Sequence, residues 1–252
     1  MTKHDLAFDP PVMNAAGCLG FTPDVHGPMD WSELGAFVTN PISLTPRTPA
    51  HGRRFAAYPG GFLLHTGYPN LGLSQIIHRY ARHWSRSPLP VIVHLLARSA
   101  EEMAKMARQL ENVEGVSGLE VGIVTDASAY IVEAFTQEAS GELPVIMQLP
   151  MERCGDLASR VIQAGAVAVS LAPPRGIFPT QDGGSVQGRL YGPAILPMAL
   201  RAVHELTQLG IPTIGAGGIY CQEHKNAMLA AGALAVQLDS VLWRGAGYNK
   251  LA

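Results

Sequence analysis

Residues 89–110, LPVIVHLLARSAEEMAKMARQL, decide the fold. The first eight form an almost unbroken apolar run rich in Val and Ile, and a helical pattern follows directly. Continuous rather than alternating apolarity marks a strand buried on both faces, as in a parallel sheet covered by helices. Ser99 and Glu102 supply an S-x-x-E capping box, in which each side chain satisfies a backbone donor at the helix start.

The same unit recurs outward from this stretch. VSGLEVGIV (116–124) precedes ASAYIVEAFTQEA (127–139), and LPVIMQLP (143–150) precedes ERCGDLASRVIQAG (152–165). AVAVSLA (166–172) leads through a long polar loop into GPAILPMALRAVHELTQLG (192–210). IPTIGAGGI (211–219), HKNAMLAAG (224–232) and ALAVQLD (233–239) follow. Gly165, Gly210 and Gly232 stand just past helical patterns, where a left-handed C-cap suits glycine. Upstream, PVMNAAG (11–17) and AFVTNP (36–41) read as two further strands. Eight strands, alternating with helices in the second half, predict an α/β fold: a single (β/α)8 TIM barrel spanning 1–252. The competing architecture is an open doubly wound sheet, and no linker or low-complexity segment divides the chain.

Composition narrows the function classes. Of 252 residues 47% are apolar and 15% charged, with a formal net charge of −2, which excludes disorder and offers no basic footprint for nucleic acid or an anionic membrane. No apolar stretch reaches the roughly 18–20 residues of a membrane span, and MTKHDLAFDP carries no secretory pattern. Three cysteines (Cys18, Cys154, Cys221) without metal-ligand spacing favour a reducing compartment, so a cytoplasmic location is expected.

In a barrel of this kind the chemistry lies at the C-terminal strand ends. Those ends are Ala15, Asn40, His94, Glu120, Gln148, Ala172, Gly217 and Asp239. IGAGGI (214–219) reads as a backbone anion cradle, since phosphate sites commonly follow strands seven and eight; the plainer reading is a tight turn. Asp239 closes strand eight, where a carboxylate repels phosphate unless it points away. His94 and Glu120 end adjacent strands, and His65 and Asp239 could join them around a divalent metal. Such residues are more often hydrogen-bonded barrel side chains, and no metal is expected. A low-pKa nucleophile at Cys18, Cys154 or Cys221 is conceivable, though buried inert thiols are commoner. HGRRFAAYPGGFLLHTGYPNLG (51–72) reads as an insertion lying across the barrel mouth, or alternatively a surface hairpin or dimer contact.

Together these residues resemble the dihydroorotate dehydrogenase family of FMN barrels over nearly the whole chain. PPVMNAAGCLG (10–20), VTNPISLTPRTP (38–49), YPGGFLLHTGYPNLG (58–72), GPAILPMALRAVHEL, IPTIGAGGI and ALAVQLDSVLW match its segments in order. The resemblance implies FMN as cofactor, with Ala15, Ala16, Gly17, Gly192, Gly217 and Gly218 at close-approach positions and Ser240 at a phosphate-contacting one. Asn40 and Gln148 align with the family's two lysines and His94 with an asparagine, making all three ring neighbours. Thr125 aligns with the catalytic base, Ala172 with a strand-six asparagine, and of the substrate asparagines only Asn70 persists. A neutral amide stabilises charge on a reduced flavin less than a lysine does, and a threonine without a base is a poor proton acceptor.

The leading expectation is therefore a dihydroorotate dehydrogenase-like, FMN-type oxidoreductase acting on a small molecule, with the standard dihydroorotate residues replaced. Thr125, Asn70 and Gln148 are its candidate catalytic positions. One rival is a flavin-free lyase or isomerase using His94 and Glu120 as acid and base; another is a non-catalytic partner subunit. The resemblance also implies a homodimer or a partner protein subunit.

Overall fold

A computed structural model describes residues 7–27, 29–180 and 183–244. In chain order, β1 (Val12–Asn14), β2 (Phe37–Val38) and its continuation β3 (Ile42–Ser43) are followed by a hairpin of β4 (Phe55–Tyr58) and β5 (Gly61–Leu64). Helix α1 (Leu73–Trp84), β6 (Val91–Leu96), α2 (Ala100–Glu111), β7 (Val116–Gly122) and α3 (Ala129–Ala139) come next. Then follow β8 (Val145–Pro150), α4 (Cys154–Gln163), β9 (Ala168–Ala172), β10 (Arg175–Pro179) and β11 (Ser185–Tyr191). After these come α5 (Leu196–Gln208), β12 (Thr213–Ala216), α6 (Gln222–Ala230) and β13 (Ala235–Leu238).

The wall runs β1-β13-β12-β9-β8-β7-β6-β2, all parallel, with β3 also paired to β6. A bridge between Met13 and Ala36 closes the circle, so the chain is a (β/α)8 barrel rather than an open sheet. At this joint a side chain takes the place of a ladder. Asn14 donates from Nδ2 to the Val38 carbonyl (2.6 Å) and accepts from the Val38 N–H (2.9 Å), mimicking a peptide group.

Inside the wall, Met13, Ala36, Val38, Ile92, Ile146, Ala168, Ile214 and Ala235 form one apolar layer. A larger cluster, including Val93, Leu119, Met147, Val169 and Val236, packs the outward faces of the strands against the helices. Burial on both faces explains the continuous apolar strand sequences. Gly165, Gly210 and Gly232 do adopt positive φ after their helices. The capping box at α2 forms by half. Ser99 Oγ accepts the Glu102 N–H (3.2 Å), but the Glu102 carboxylate takes the Arg98 N–H and guanidinium instead of reaching back to Ser99.

The long polar loop after β9 proves to be a hairpin, β10 and β11, which pairs through β11 with β5 to make a four-stranded antiparallel flap, β10-β11-β5-β4. The two insertions thus stand together over one end of the barrel. The expectation of a loop fails because this hairpin is mostly exposed and finds its partner more than a hundred residues upstream. Among the described residues no helix is long and apolar enough to cross a membrane.

Candidate active site

Above the apolar layer the barrel interior turns polar. Strand register sets His94 beside Glu120, and His94 Nδ1 lies 2.7 Å from Glu120 Oε2. The other carboxylate oxygen accepts from Ser170 Oγ (2.6 Å) and Gln237 Nε2 (2.6 Å). Burial drives the Glu120 carboxyl upward, but the His94, Ser170 and Gln237 donors together outweigh it and hold it below the usual range. An ionised Glu120 only accepts, so His94 carries its proton on Nδ1. Both residues are essentially inaccessible. Even Gly122 is needed for space, since a Cβ there would lie 2.6 Å from His94 Nε2. The pair foreseen as acid and base is a sealed strut. Neither His65 nor Asp239 joins it, and the described residues contain no group of three that could hold a metal.

Next comes the barrel mouth. Ala15, Ala16, Gln148, Gly217, Gln237 and Asp239 border a void of only about 10 Å³, and Gln148 Oε1 and Gln237 Oε1 are buried without a partner. A neighbouring void of about 150 Å³ touches Gly17, Cys18, Asn40 and Trp243. Tyr191 faces both, and it stacks on Phe62 (5.3 Å), with Trp243 6.1 Å from each ring. Asn40 is spent locally, its Oδ1 accepting the Gly20 N–H at 3.1 Å. Gly192 packs against the flap, where a Cβ would sit 2.3 Å from the Gly60 carbonyl oxygen.

Gly217 and Gly218 lie at the end of β12 with φ of +105° and +76°, as an anion cradle requires. The start of α5 packs closely against this turn. A Cβ on Gly218 would meet the Leu196 nitrogen at 2.4 Å. Across from it, Asp239 Oδ1 accepts both the Ser240 N–H and the Ser240 hydroxyl (3.0 Å), and Ser240 Oγ also meets the Tyr220 hydroxyl at 2.7 Å. Burial pushes the Asp239 carboxyl up to about 6, against the hydrogen bonds from Ser240. The Ser240 donors that a phosphate would need already serve a carboxylate. This end of the site does not fit FMN.

The roomy cavity lies to one side, beneath the flap and over the ends of β6 and β7. It measures about 700 Å³ and is bordered by Arg47, Tyr68, Thr125, Asp126, Arg175 and Arg189 among others, within the usual size of small-molecule pockets, about 300–1,000 Å³. The Arg189 guanidinium lies over the Tyr68 ring, 5.2 Å from its centre. Burial raises the Tyr68 hydroxyl, and the nearby charges of Arg189, Arg175 and Arg47 act against it. No carboxylate of a described residue ion-pairs with these three arginines. Thr125 sits on a loop that Arg153 pins through the carbonyls of Thr125 (2.9 Å) and Ala127 (2.7 Å).

Asn70 is buried with its amide engaged: it donates to Ser43 Oγ and the Tyr68 carbonyl and accepts the Gly72 N–H. The arginine group escaped the sequence reading because Arg47 lies more than a hundred residues from the other two, and Arg175 and Arg189 face each other only through the pairing of β10 with β11. No local pattern in the sequence joins them. Cys18 and Cys154 fit poorly as nucleophiles: burial, with Asp239 adding to it, pushes the Cys18 thiol well up, and burial takes Cys154 to about 11.

Comparison with known proteins agrees with this architecture. The family model described as "Dihydroorotate dehydrogenase" matches residues 2–124. The chain is 31% identical over 257 residues to the "Dihydroorotate dehydrogenase B (NAD(+)), catalytic subunit" of Geotalea uraniireducens, covering 91% of this chain and 82% of the relative. It is 32% identical over 256 residues to the protein of that name from Pelobacter propionicus, covering 91% and 83%. Among solved structures, DHODH from Eimeria tenella in complex with ferulenol superposes with a TM-score of 0.74 at 15% identity, covering 97% of this chain and 82% of the other. That likeness concerns the fold alone.

Proposed function

This chain belongs to the dihydroorotate dehydrogenase family, and from that footing we propose that it is a diverged small-molecule enzyme of the family that binds an anionic ligand beneath the flap and does not oxidise dihydroorotate. The observation that carries the reading is the 700 Å³ cavity with Arg47, Arg175 and Arg189 gathered around Tyr68. Guanidinium groups that ion-pair with no carboxylate of a described residue favour a ligand carrying carboxylate or another planar anion.

Three features argue against the family's usual reaction. Thr125, at the place of the base, meets Arg153 through its carbonyl, and its hydroxyl pairs with no histidine or carboxylate of a described residue. Asn70 is committed to backbone and Ser43. Asn40 and Gln148 offer neutral amides at the positions of the lysines. FMN is the family's usual cofactor, and an oxidoreductase would be the inherited activity; the phosphate end of this barrel argues against its uptake.

A thermal-shift panel tests the reading. Small planar carboxylates, orotate among them, should raise the melting temperature, and uncharged isosteres should not. In the Arg175→Ala/Arg189→Ala protein the shift should fall to background, with binding weakened on the order of 100-fold for two lost charge-assisted contacts. Oxidation of dihydroorotate above background in the presence of FMN and NAD⁺, or an anion response unchanged in the double variant, would refute it.

A second reading concerns a protein partner. The relatives are named catalytic subunits, and the flap leaves Phe55, Ile177 and Phe178 exposed. Light scattering on the purified chain distinguishes a lone protomer from an oligomer.

A further inference from the structure

We propose that Asp239 acts as a resident anion that fills the barrel's own phosphate cradle, so that this barrel turns away phosphorylated ligands at the ends of β12 and β13. The inference rests on different residues from the arginine cavity, although Arg189 and Tyr191 border both that cavity and the small void beside Asp239.

The cradle is recognisable by its parts. Two consecutive positive-φ glycines, Gly217 and Gly218, end β12, and Ser240 follows β13. Parallel strands bring these turns side by side. An anion placed there would take the Ser240 N–H and hydroxyl, and the Asp239 carboxylate already holds both. Ser240 Oγ is further tied to the Tyr220 hydroxyl, which comes from the turn after β12. A helix start packs over the second glycine at Leu196, and the aromatic group of Tyr191, Phe62 and Trp243 covers the mouth on the flap side. A phosphate dianion would have to displace a buried carboxylate from its donors or sit beside it. Two such charges a few ångströms apart in a site removed from water repel far more strongly than they would in bulk water.

The substitution at one position is therefore expected to act as a switch between refusing and accepting a phosphate. Asp239→Gly removes the carboxylate and leaves Ser240 free to donate. Asp239→Asn removes the charge but keeps an oxygen for the Ser240 donors, and so serves if the glycine variant folds poorly.

The experiment is a titration of the purified full-length chain and both variants with FMN and with riboflavin at pH 8, read by flavin fluorescence quenching and by retention through desalting. The wild-type protein should bind FMN no better than riboflavin. Asp239→Gly should bind FMN at least 10-fold better than wild type, with riboflavin unchanged, and Asp239→Asn should fall between. A wild-type chain that retains FMN at near one per chain would overturn the proposal. So would a variant, folded by circular dichroism, whose preference for FMN over riboflavin equals that of wild type.

Discussion

Glu120→Ala is expected to destabilise the barrel by about 3–5 kcal/mol, the usual penalty for removing one partner from a buried charged network. The carboxylate accepts three hydrogen bonds, and its loss leaves His94 Nδ1 and Ser170 Oγ without an acceptor and Gln237 Nε2 with only the weak Met13 thioether, inside a closed interior. For a domain of this length that corresponds to a fall in melting temperature of about 10 °C. Glu120→Gln is expected to cost less than half as much. Its oxygen still serves Ser170 and Gln237, and its amide can donate to His94 once the ring takes the other tautomer. Urea unfolding of the three proteins decides the point, and a cost below about 1 kcal/mol for alanine would mean that water relieves the network. Because the folded carboxyl sits below its ordinary range, this stabilisation is present above the normal glutamate pKa and is lost as pH falls through and below it.

Asp239→Asn is expected to stabilise the protein at pH 8 by up to about 3 kcal/mol, from a carboxyl pushed up to about 6 against an ordinary 3.8. The sign is opposite to that of Glu120. A folded carboxyl that holds its proton more tightly than the unfolded one costs stability once pH exceeds the unfolded value. That cost grows to its full size by about pH 6 and stays constant above it. The gain in the variant should therefore be largest at pH 7–8 and vanish near pH 4. Denaturation midpoints of both proteins across that range measure it, and a gain independent of pH would tie the effect to packing instead. Stability surrendered at neutral pH is the ordinary signature of a residue held at a strand end for a purpose other than folding.

The barrel was legible in the sequence because each strand carries its own local mark, an apolar run such as VIVHLL or VIMQLP between Pro or Gly and a helical pattern. What burial on both faces demands, the composition of a short segment records. The flap was not legible: β10 and β11 are half-exposed, and the ladder that orders them reaches back to β5. The site divides along the same line. Strand order put His94 and Glu120 on adjacent strands, but nothing in the spacing showed that their side chains meet or that Ser170 and Gln237 close around them, since four side chains from four strands converge only through the barrel's curvature. Asp239 was flagged from its position alone, but which way its carboxylate turns depends on a hydroxyl one residue away. Arg47, Arg175 and Arg189, spread over more than 140 residues of chain, share no local pattern at all.

A ring of strands opens first where its joint is thinnest, and here that joint is between β1 and β2, carried by one bridge, the Gly35 N–H on the Val12 carbonyl and the two bonds of the Asn14 amide. Solvent exchange of the Val38 amide proton therefore reports the closing of the whole circle through the rotation of one side chain. In Asn14→Ala that proton should exchange orders of magnitude faster, while those of Val121 and Met147, on the opposite arc, keep their protection. The first strand to leave the wall would then be β1, which makes the Asn14 side chain the latch of a structure whose other joints are ladders.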